Sequence, residues 1–302
     1  MSGKALLGGP VGILANVSKR DVIAAVNAVI AAVEACGLPW RMDQETAARC
    51  GIAGGALPLS RMLEQVAWLL VLGGDGTILR AVRESWQQRL PLLGVNPGNS
   101  LGFMTDTLVQ DLPAALARIC AGQYDILERA TLAASVIGSD AEAPTVLPPA
   151  LNDVTFIHGA VARLIALEVF VNGEFFTTYE ADGLIFATPT GSTAHSMAAG
   201  GPIVFPATEA VVLTPICPHT LTNRPSIFPR GYVIEVRLGN PGHEVHVSVD
   251  GQVTRLLQAS EKVVIKMSEN RVRFIHCSTQ SFVETLRQKL HWRGRLRDDR
   301  VA

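Results

Sequence analysis

Paired cysteines are missing from this 302-residue chain. The five that occur, Cys36, Cys50, Cys120, Cys217 and Cys277, stand far apart with no Cys-x-x-Cys pair. That excludes a zinc site of the usual spacing and a disulfide framework, and it fits reduced thiols in a cytosol. An excess of charge is missing too. Lys plus Arg is 26 and Asp plus Glu is 27, a net charge of −1. No global field draws the chain to nucleic acid or to an anionic membrane, so a phosphate ligand must be met by local geometry. A membrane-length apolar run is also absent. Val22 to Val33 is apolar, but Asn27 interrupts it, Glu34 bounds it, and it falls short of the roughly 20 residues a span needs. Gly8-Gly9-Pro10 breaks the run begun by Leu6-Leu7, so no export signal is expected. A soluble, cytoplasmic protein follows. The chain has no Gly-Lys-Ser/Thr of a P-loop, no H-E-x-x-H, no G-x-S-x-G and no internal repeat.

What is present is ordinary for a globular enzyme: 48% apolar and 18% charged residues. The length suits about two domains at roughly 150 residues each. Val11 to Ala15, Trp68 to Leu72 and Leu92 to Val95 are continuously apolar and read as buried strands. Helices are predicted at Asp21 to Cys36, with Asp21 as N-cap, at Ile78 to Trp86, and at Asp111 to Cys120. Apolar strands alternating with helices indicate a parallel sheet covered on both faces. Beyond Tyr124 the chain turns β-branched. Ile165 to Val171, Asn172-Gly173 and Glu174 to Tyr179 form a hairpin pattern. Strands are predicted at Val233 to Leu238, Val245 to Val249, Val263 to Met267 and Val272 to Ile275. Ser139 to Pro149 reads as a surface loop, and Ser281 to Leu290 as a final helix. Arg293, Arg295, Arg297 and Arg300, balanced by Asp298 and Asp299, read as a solvated end. The expected fold is an α/β, doubly wound N-terminal domain plus a mainly β, two-sheet, sandwich-like C-terminal domain. The expected boundaries are 1–124, 125–277, and a helix and tail over 278–302 that packs back on the first domain.

Three segments carry chemistry. Gly73-Gly74-Asp75-Gly76-Thr77 lies between a buried strand and a helix. Glycines there let backbone N–H groups approach a phosphate, and the helix start adds positive charge. An acid in such a loop repels anions, so it points to a proton acceptor for a hydroxyl or a metal ligand. Thr188-Pro189-Thr190-Gly191-Ser192-Thr193-Ala194-His195-Ser196, followed by Gly200-Gly201-Pro202, crowds hydroxyls round a glycine turn. More hydroxyls stand there than one helix cap requires, which favours ribose and phosphate recognition. Asn152-Asp153, Asp182-Gly183 and Asp250-Gly251-Gln252 read first as turns.

Taken in order, these segments resemble the NAD kinase family. Ala181 to Ile185, Gly200-Gly201-Pro202-Ile203, Thr214 to His219 and Asn223-Arg224-Pro225 add to the resemblance, which runs from about Val11 to Trp292. It implies transfer of a phosphoryl group from ATP to the 2′-hydroxyl of the adenosine ribose of NAD, with a divalent metal, Mg²⁺, and a homodimer or homotetramer. Asp75 would be the general base. Gly76 would touch the dinucleotide and Arg80 a phosphate. Asn152 and Asp153 would bind ribose hydroxyls. Arg163, Asp182, Thr193, Ala194, His195, Ser196, Met197, Ala198 and Gln252 would complete a pocket drawn from both domains. Polyphosphate is a second donor to weigh against ATP. Two features depart from the family pattern: Asp153 replaces Glu, and His195 replaces Tyr. The loop Asn96 to Phe103 is also one residue longer. Because Gly-Gly-Asp-Gly-Thr is shared with lipid and sphingoid-base kinases, these remain a rival reading, as does a non-catalytic NAD-sensing module.

Overall fold

A strand of five consecutive apolar residues hides every side chain only inside a sheet covered on both faces. Trp68 to Leu72 meets that demand: in a computed structural model all five are buried. The structure describes residues 8–18, 22–138, 143–159, 164–220, 222–240, 242 and 244–292. The N-cap expected at Asp21, the first part of the loop from Ser139, Arg163 and the basic tail from Arg293 lie outside these residues. Contacts divide the chain into two units. The first comprises residues up to Ile78, Leu92–Ile126 and the chain from Ile275 onward; the second comprises Leu79–Pro91 and Leu127–Phe274.

The first unit contains β1 (Val11–Ala15), α1 (Val22–Ala35), β2 (Trp40–Asp43), α2 (Gln44–Cys50), β3 (Ala56–Leu57), α3 (Leu59–Gln65), β4 (Trp68–Leu72), the start of α4 (Asp75–Ser85), β5 (Leu92–Asn96), β6 (Thr107–Leu108) and α5 (Leu112–Cys120). Its strands run in the order β5-β4-β1-β2-β3, every pair parallel. Trp68, Leu70 and Leu72 pack with Val26, Val29 and Leu116 of the helices. The expected α/β domain is observed. Helix α4 starts earlier than expected, with Asp75 itself in its first turn. Helix α2 was not visible as a period. It is set by its caps: the Asp43 carboxylate accepts from Thr46 N at 3.0 Å, and Gly51 closes it at φ 69°.

The second unit is β-rich, with β7 (Asp125–Gly138) entering it. There follow β8 (Thr145–Val146), β9 (Asp153–His158), β10 (Ile165–Val171), β11 (Glu174–Ala181), β12 (Gly183–Ala187), the short α6 (His195–Ala198), β13 (Ala210–Ile216), β14 (Ser226–Pro229), β15 (Ile234–Leu238), β16 (Val245–Val249), β17 (Val253–Leu257) and β18 (Glu261–His276). One antiparallel sheet has the order β14-β13-β12-β9-β16-β17, and β11-β10-β15-β18 run side by side in the other. Alternate residues of both sheets enter one core, so the two-sheet expectation is observed. At its centre Phe156 and Phe186 meet edge to face, centroids 5.7 Å apart. Asn172 and Gly173 turn the predicted hairpin with φ of 51° and 85°, which a type I′ turn requires.

Two strands were expected between Val263 and Ile275, but β18 is a single strand of 16 residues. Its polar middle is held by neighbours remote in sequence: Thr131 donates to the Asn270 carbonyl and Arg89 to the Asn270 side chain. The last helix, α7 (Phe282–Lys289), belongs to the first unit. It begins with a capping box between Ser281 and Glu284, and Phe282 meets Phe103 at 6.3 Å. Among the described residues no helix is long and apolar enough to cross a membrane. Phe186→Ala is expected to lower stability by about 3–5 kcal/mol in chemical denaturation, because it opens a cavity between two sheets that cannot collapse freely.

Candidate functional site

In the first unit the glycine loop leaves β4 at its carboxyl end and runs directly into α4. Gly73 N donates to the Val95 carbonyl at 2.9 Å, which ties the loop to β5. Asp75 is half-buried, with Gly76 exposed beside it. The Asp75 carboxylate accepts two backbone N–H groups, from Phe103 at 3.0 Å and from Met104 at 3.1 Å. Those donors come from the long loop that follows β5. Gly102 must be glycine for this contact: a Cβ there would lie 2.2 Å from Asp75 Oδ1. The far end of the same segment is anchored by Asp106. Its carboxylate accepts from Cys277 N at 3.0 Å and Ser278 N at 3.1 Å, and it meets His276 Nδ1 at 2.5 Å. Burial pushes the Asp106 carboxyl up, but the bonds from His276 and Cys277 outweigh it and hold the group below the ordinary carboxylate range. The Cys277 thiol is pushed up to about 12 by burial and by Asp106, so it stays protonated.

In the second unit Asn152, Asp153 and the loop after β12 form a buried corner. Thr188 donates its hydroxyl to the Leu151 carbonyl at 2.6 Å and its N–H to the Asn152 carbonyl at 2.8 Å. Gly191 passes so close that a Cβ would lie 2.0 Å from the Asn152 carbonyl oxygen. The Asn152 side-chain oxygen is buried with no hydrogen-bond partner among the described residues. A buried acceptor left open in this way is costly unless something else supplies a donor. Asp153 is 5% exposed. Burial, then the nearby Asp250 carboxylate, raises its carboxyl to about 7.

The hydroxyl-rich loop spends its hydroxyls on itself. Ser192 Oγ donates to the Pro189 carbonyl at 2.7 Å and accepts from Val204 N at 2.9 Å. Thr193 donates to the Thr190 carbonyl at 3.1 Å, and Ser196 meets Thr214 Oγ1 at 2.8 Å. Ser192 and Ser196 are fully buried. The loop holds a short 3₁₀ turn, Gly191–Thr193, followed by the four-residue α6. His195 and Ala198 are exposed; Ala194 and Met197 are half-buried. Gln252 lies just past the Asp250-Gly251 turn and accepts from Arg83 Nη1 at 2.9 Å. Arg80 is half-buried one turn before Arg83 on α4. Asp182 does not join the corner: it stands at the opposite end of β12, roughly 20 Å from Thr188 at the usual rise per residue. Sequence reading took Asp250 only as part of a turn, and it passed over Arg83 and Asp106.

Comparison with known proteins decides the family. Residues 59–124 match the ATP-NAD kinase N-terminal domain and residues 151–277 the ATP-NAD kinase C-terminal domain. An NAD kinase of Syntrophobacter fumaroxidans is 45% identical over 224 residues, 74% of this chain and 78% of that protein. One of Geobacter sulfurreducens is 38% identical over 93% of this chain and 98% of its own. The chain belongs to the NAD kinase family. A solved structure of yeast NADH kinase complexed with NADH superposes with a TM-score of 0.86 at 25% identity, covering 96% of this chain and 89% of that one. Members of the NAD kinase family are phosphotransferases acting on NAD, and this chain is an enzyme of that kind. The N-terminal match contains Gly73 to Thr77 and Gly102; the C-terminal match contains Asn152, Asp153, Thr188 to Ala198 and the Asp250 turn.

Two outcomes test this geometry. Gly102→Ala is expected to displace the Asp75 carboxylate and lower phosphoryl transfer on the order of 10²-fold, with an unchanged circular dichroism spectrum. Asp153 binds its proton more tightly folded, near 7, than unfolded, near ~3.9, so its contribution to stability is lost as pH rises through that window. The stability of wild type relative to Asp153→Asn should therefore fall between about pH 4 and pH 7 in denaturant titrations.

Proposed function

We propose that this chain transfers the γ-phosphoryl group of ATP to the 2′-hydroxyl of the adenosine ribose of NAD, giving NADP, in the cytoplasm. The observation that carries the reading is the setting of Asp75. Its carboxylate sits at a helix start at the end of a buried strand, where a phosphate-type loop would place its ligand, and two main-chain donors fix its direction. Each carboxylate oxygen accepts one N–H and retains a lone pair for a proton. Asp75 takes the proton of the 2′-hydroxyl as its oxygen attacks the γ-phosphorus in line. Gly76 approaches the dinucleotide by its backbone, and Arg80 pairs with a phosphate. Asn152 and Asp153 bind ribose hydroxyls; the open acceptor on Asn152 supports this part. Ala194, His195, Met197, Ala198 and Gln252 line the rest of the nucleotide's path, with Thr193 and Ser196 holding that loop from within; Arg163, outside the described residues, and Asp182, at the other end of β12, are assigned to the nucleotide by the family resemblance alone.

A divalent ion, Mg²⁺, fits this donor set in one way only. Among the described residues no group of three or more His, Cys, Asp or Glu side chains could hold a metal. A hydrated ion carried on the donor's phosphates, with at most the Asp75 carboxylate beside it, suits that chemistry. When bound, it neutralises charge on the transferring phosphates. A homodimer or homotetramer is supported by apolar side chains on two edge strands: Phe175 and Phe176 of β11 and Ile227 of β14 are 44–59% exposed, and Phe176 meets Phe228 edge to face at 5.6 Å. A lipid or sphingoid-base kinase and a non-catalytic NAD sensor share single motifs with the chain, but family membership favours neither.

Asp75→Asn is expected to lose about 10²–10⁴-fold in kcat while its NAD affinity, measured by calorimetry, stays within error. Wild-type turnover would remove Asp75 as the base. Incubation with NAD, Mg²⁺ and either ATP or polyphosphate identifies the donor; no NADP with either donor rejects the reading. EDTA should stop NADP formation and excess Mg²⁺ restore it.

A further inference from the structure

Asp250 does far more than an Asp-Gly turn requires. Its backbone is left-handed, φ 50°, and its carboxylate turns back toward β9. It accepts three consecutive backbone N–H groups: Leu151 at 2.9 Å, Asn152 at 2.8 Å and Asp153 at 3.0 Å. The Asp250 N–H returns a bond to the Asp153 carbonyl at 2.9 Å. Three successive N–H groups converging on one point form a nest that normally holds an anion, and here the protein supplies its own. Thr188 takes the two carbonyls that remain, those of Leu151 and Asn152. All six backbone polar groups of Leu151, Asn152 and Asp153 are thereby committed to two residues, and the side chains of Asn152 and Asp153 leave from a backbone that cannot turn.

We propose that Asp250 is a positioning residue for the acceptor site: it sets the Asn152 and Asp153 side chains to grip the ribose hydroxyls of NAD. This rests on the reading that Asn152 and Asp153 contact the dinucleotide. The backbone neighbours of Asp153 carry no charge. Opposite Asp153, β12 places uncharged Ala187; β16 ends on uncharged Val249; Thr188 and Asn152 are neutral. Asp250 is the carboxylate acting on Asp153. Burial raises both carboxyls, and the three N–H bonds that Asp250 accepts work against that rise in Asp250 alone.

Asp250→Asn keeps the size but places an amide NH₂ against a backbone N–H and removes the charge. Direct NAD titration should show the Kd raised about tenfold or more, with kcat changed much less. The pH midpoint of NAD affinity should also move to lower pH, because Asp153 then loses its proton more readily. A merely structural role for Asp250 would leave that midpoint unmoved. In an Asn152→Ala, Asp153→Ala background, Asp250→Asn should add little. Should Asp250→Asn fail to fold, Thr188→Val, which removes the hydroxyl that donates to the Leu151 carbonyl and accepts from Gly191 N, is expected to raise the Kd in the same direction by a smaller factor. A folded Asp250→Asn protein with unchanged Kd and midpoint, full additivity in the double background, or a Thr188→Val protein with wild-type Kd when that variant alone folds, overturns the proposal. Because binding is read without turnover, wild type that binds NAD but forms no NADP would reject the kinase reading and leave the positioning role supported.

Discussion

A carboxylate that accepts backbone N–H groups binds them about twice as strongly as a neutral carbonyl does, at roughly 1.5–3 kcal/mol per bond. This protein uses that interaction at three of its loops. Asp75 gathers the amides of Phe103 and Met104, Asp106 those of Cys277 and Ser278, and Asp250 those of Leu151, Asn152 and Asp153. The strands and helices supply rigid ends, but loops rich in glycine have no ridge or period to hold them. Acid-to-amide bonds replace packing there.

The reason such loops need this device is chemical. A site that meets phosphate and ribose must leave backbone close to its ligand, so bulky side chains are excluded from the lining. Gly102 and Gly191 show the limit: added carbons would fall 2.2 Å from Asp75 and 2.0 Å from the Asn152 carbonyl. With small residues at the surface, order has to come from behind, through buried polar groups whose bonds are fully made. The hydroxyls of Ser192, Thr193 and Ser196 serve that inner layer.

Much of the framework was legible in the chain. Trp68 to Leu72 and Val11 to Ala15 declare themselves by unbroken apolar runs, and Asn172-Gly173 declares its hairpin by turn chemistry. The segment between Trp40 and Gln65 did not, since its two helices have only seven residues each, and α2 is set by its caps. Strand β18 was split in reading because its polar middle finds partners in Thr131 and Arg89, far away in sequence. The site divides the same way. Asp75 was readable because a lone acid among glycines is odd in itself. Asp250 was not, because its three bonds join residues 97–99 positions apart, and locally the pair Asp-Gly is only a turn. The hydroxyls after Thr188 were counted correctly as too many for one cap, yet most of the surplus serves the loop's own backbone.

The close passage of Gly191 over the Asn152 carbonyl sets the bounds within which this scaffold can be redesigned. Around that point the main chain is incompressible, and Ser192 and Ser196 are sealed within the fold. Variation can enter where side chains reach the surface, at Ala194, His195, Met197 and Ala198. Divergence in what the loop accepts accumulates at these positions, while the inner ring stays fixed by geometry.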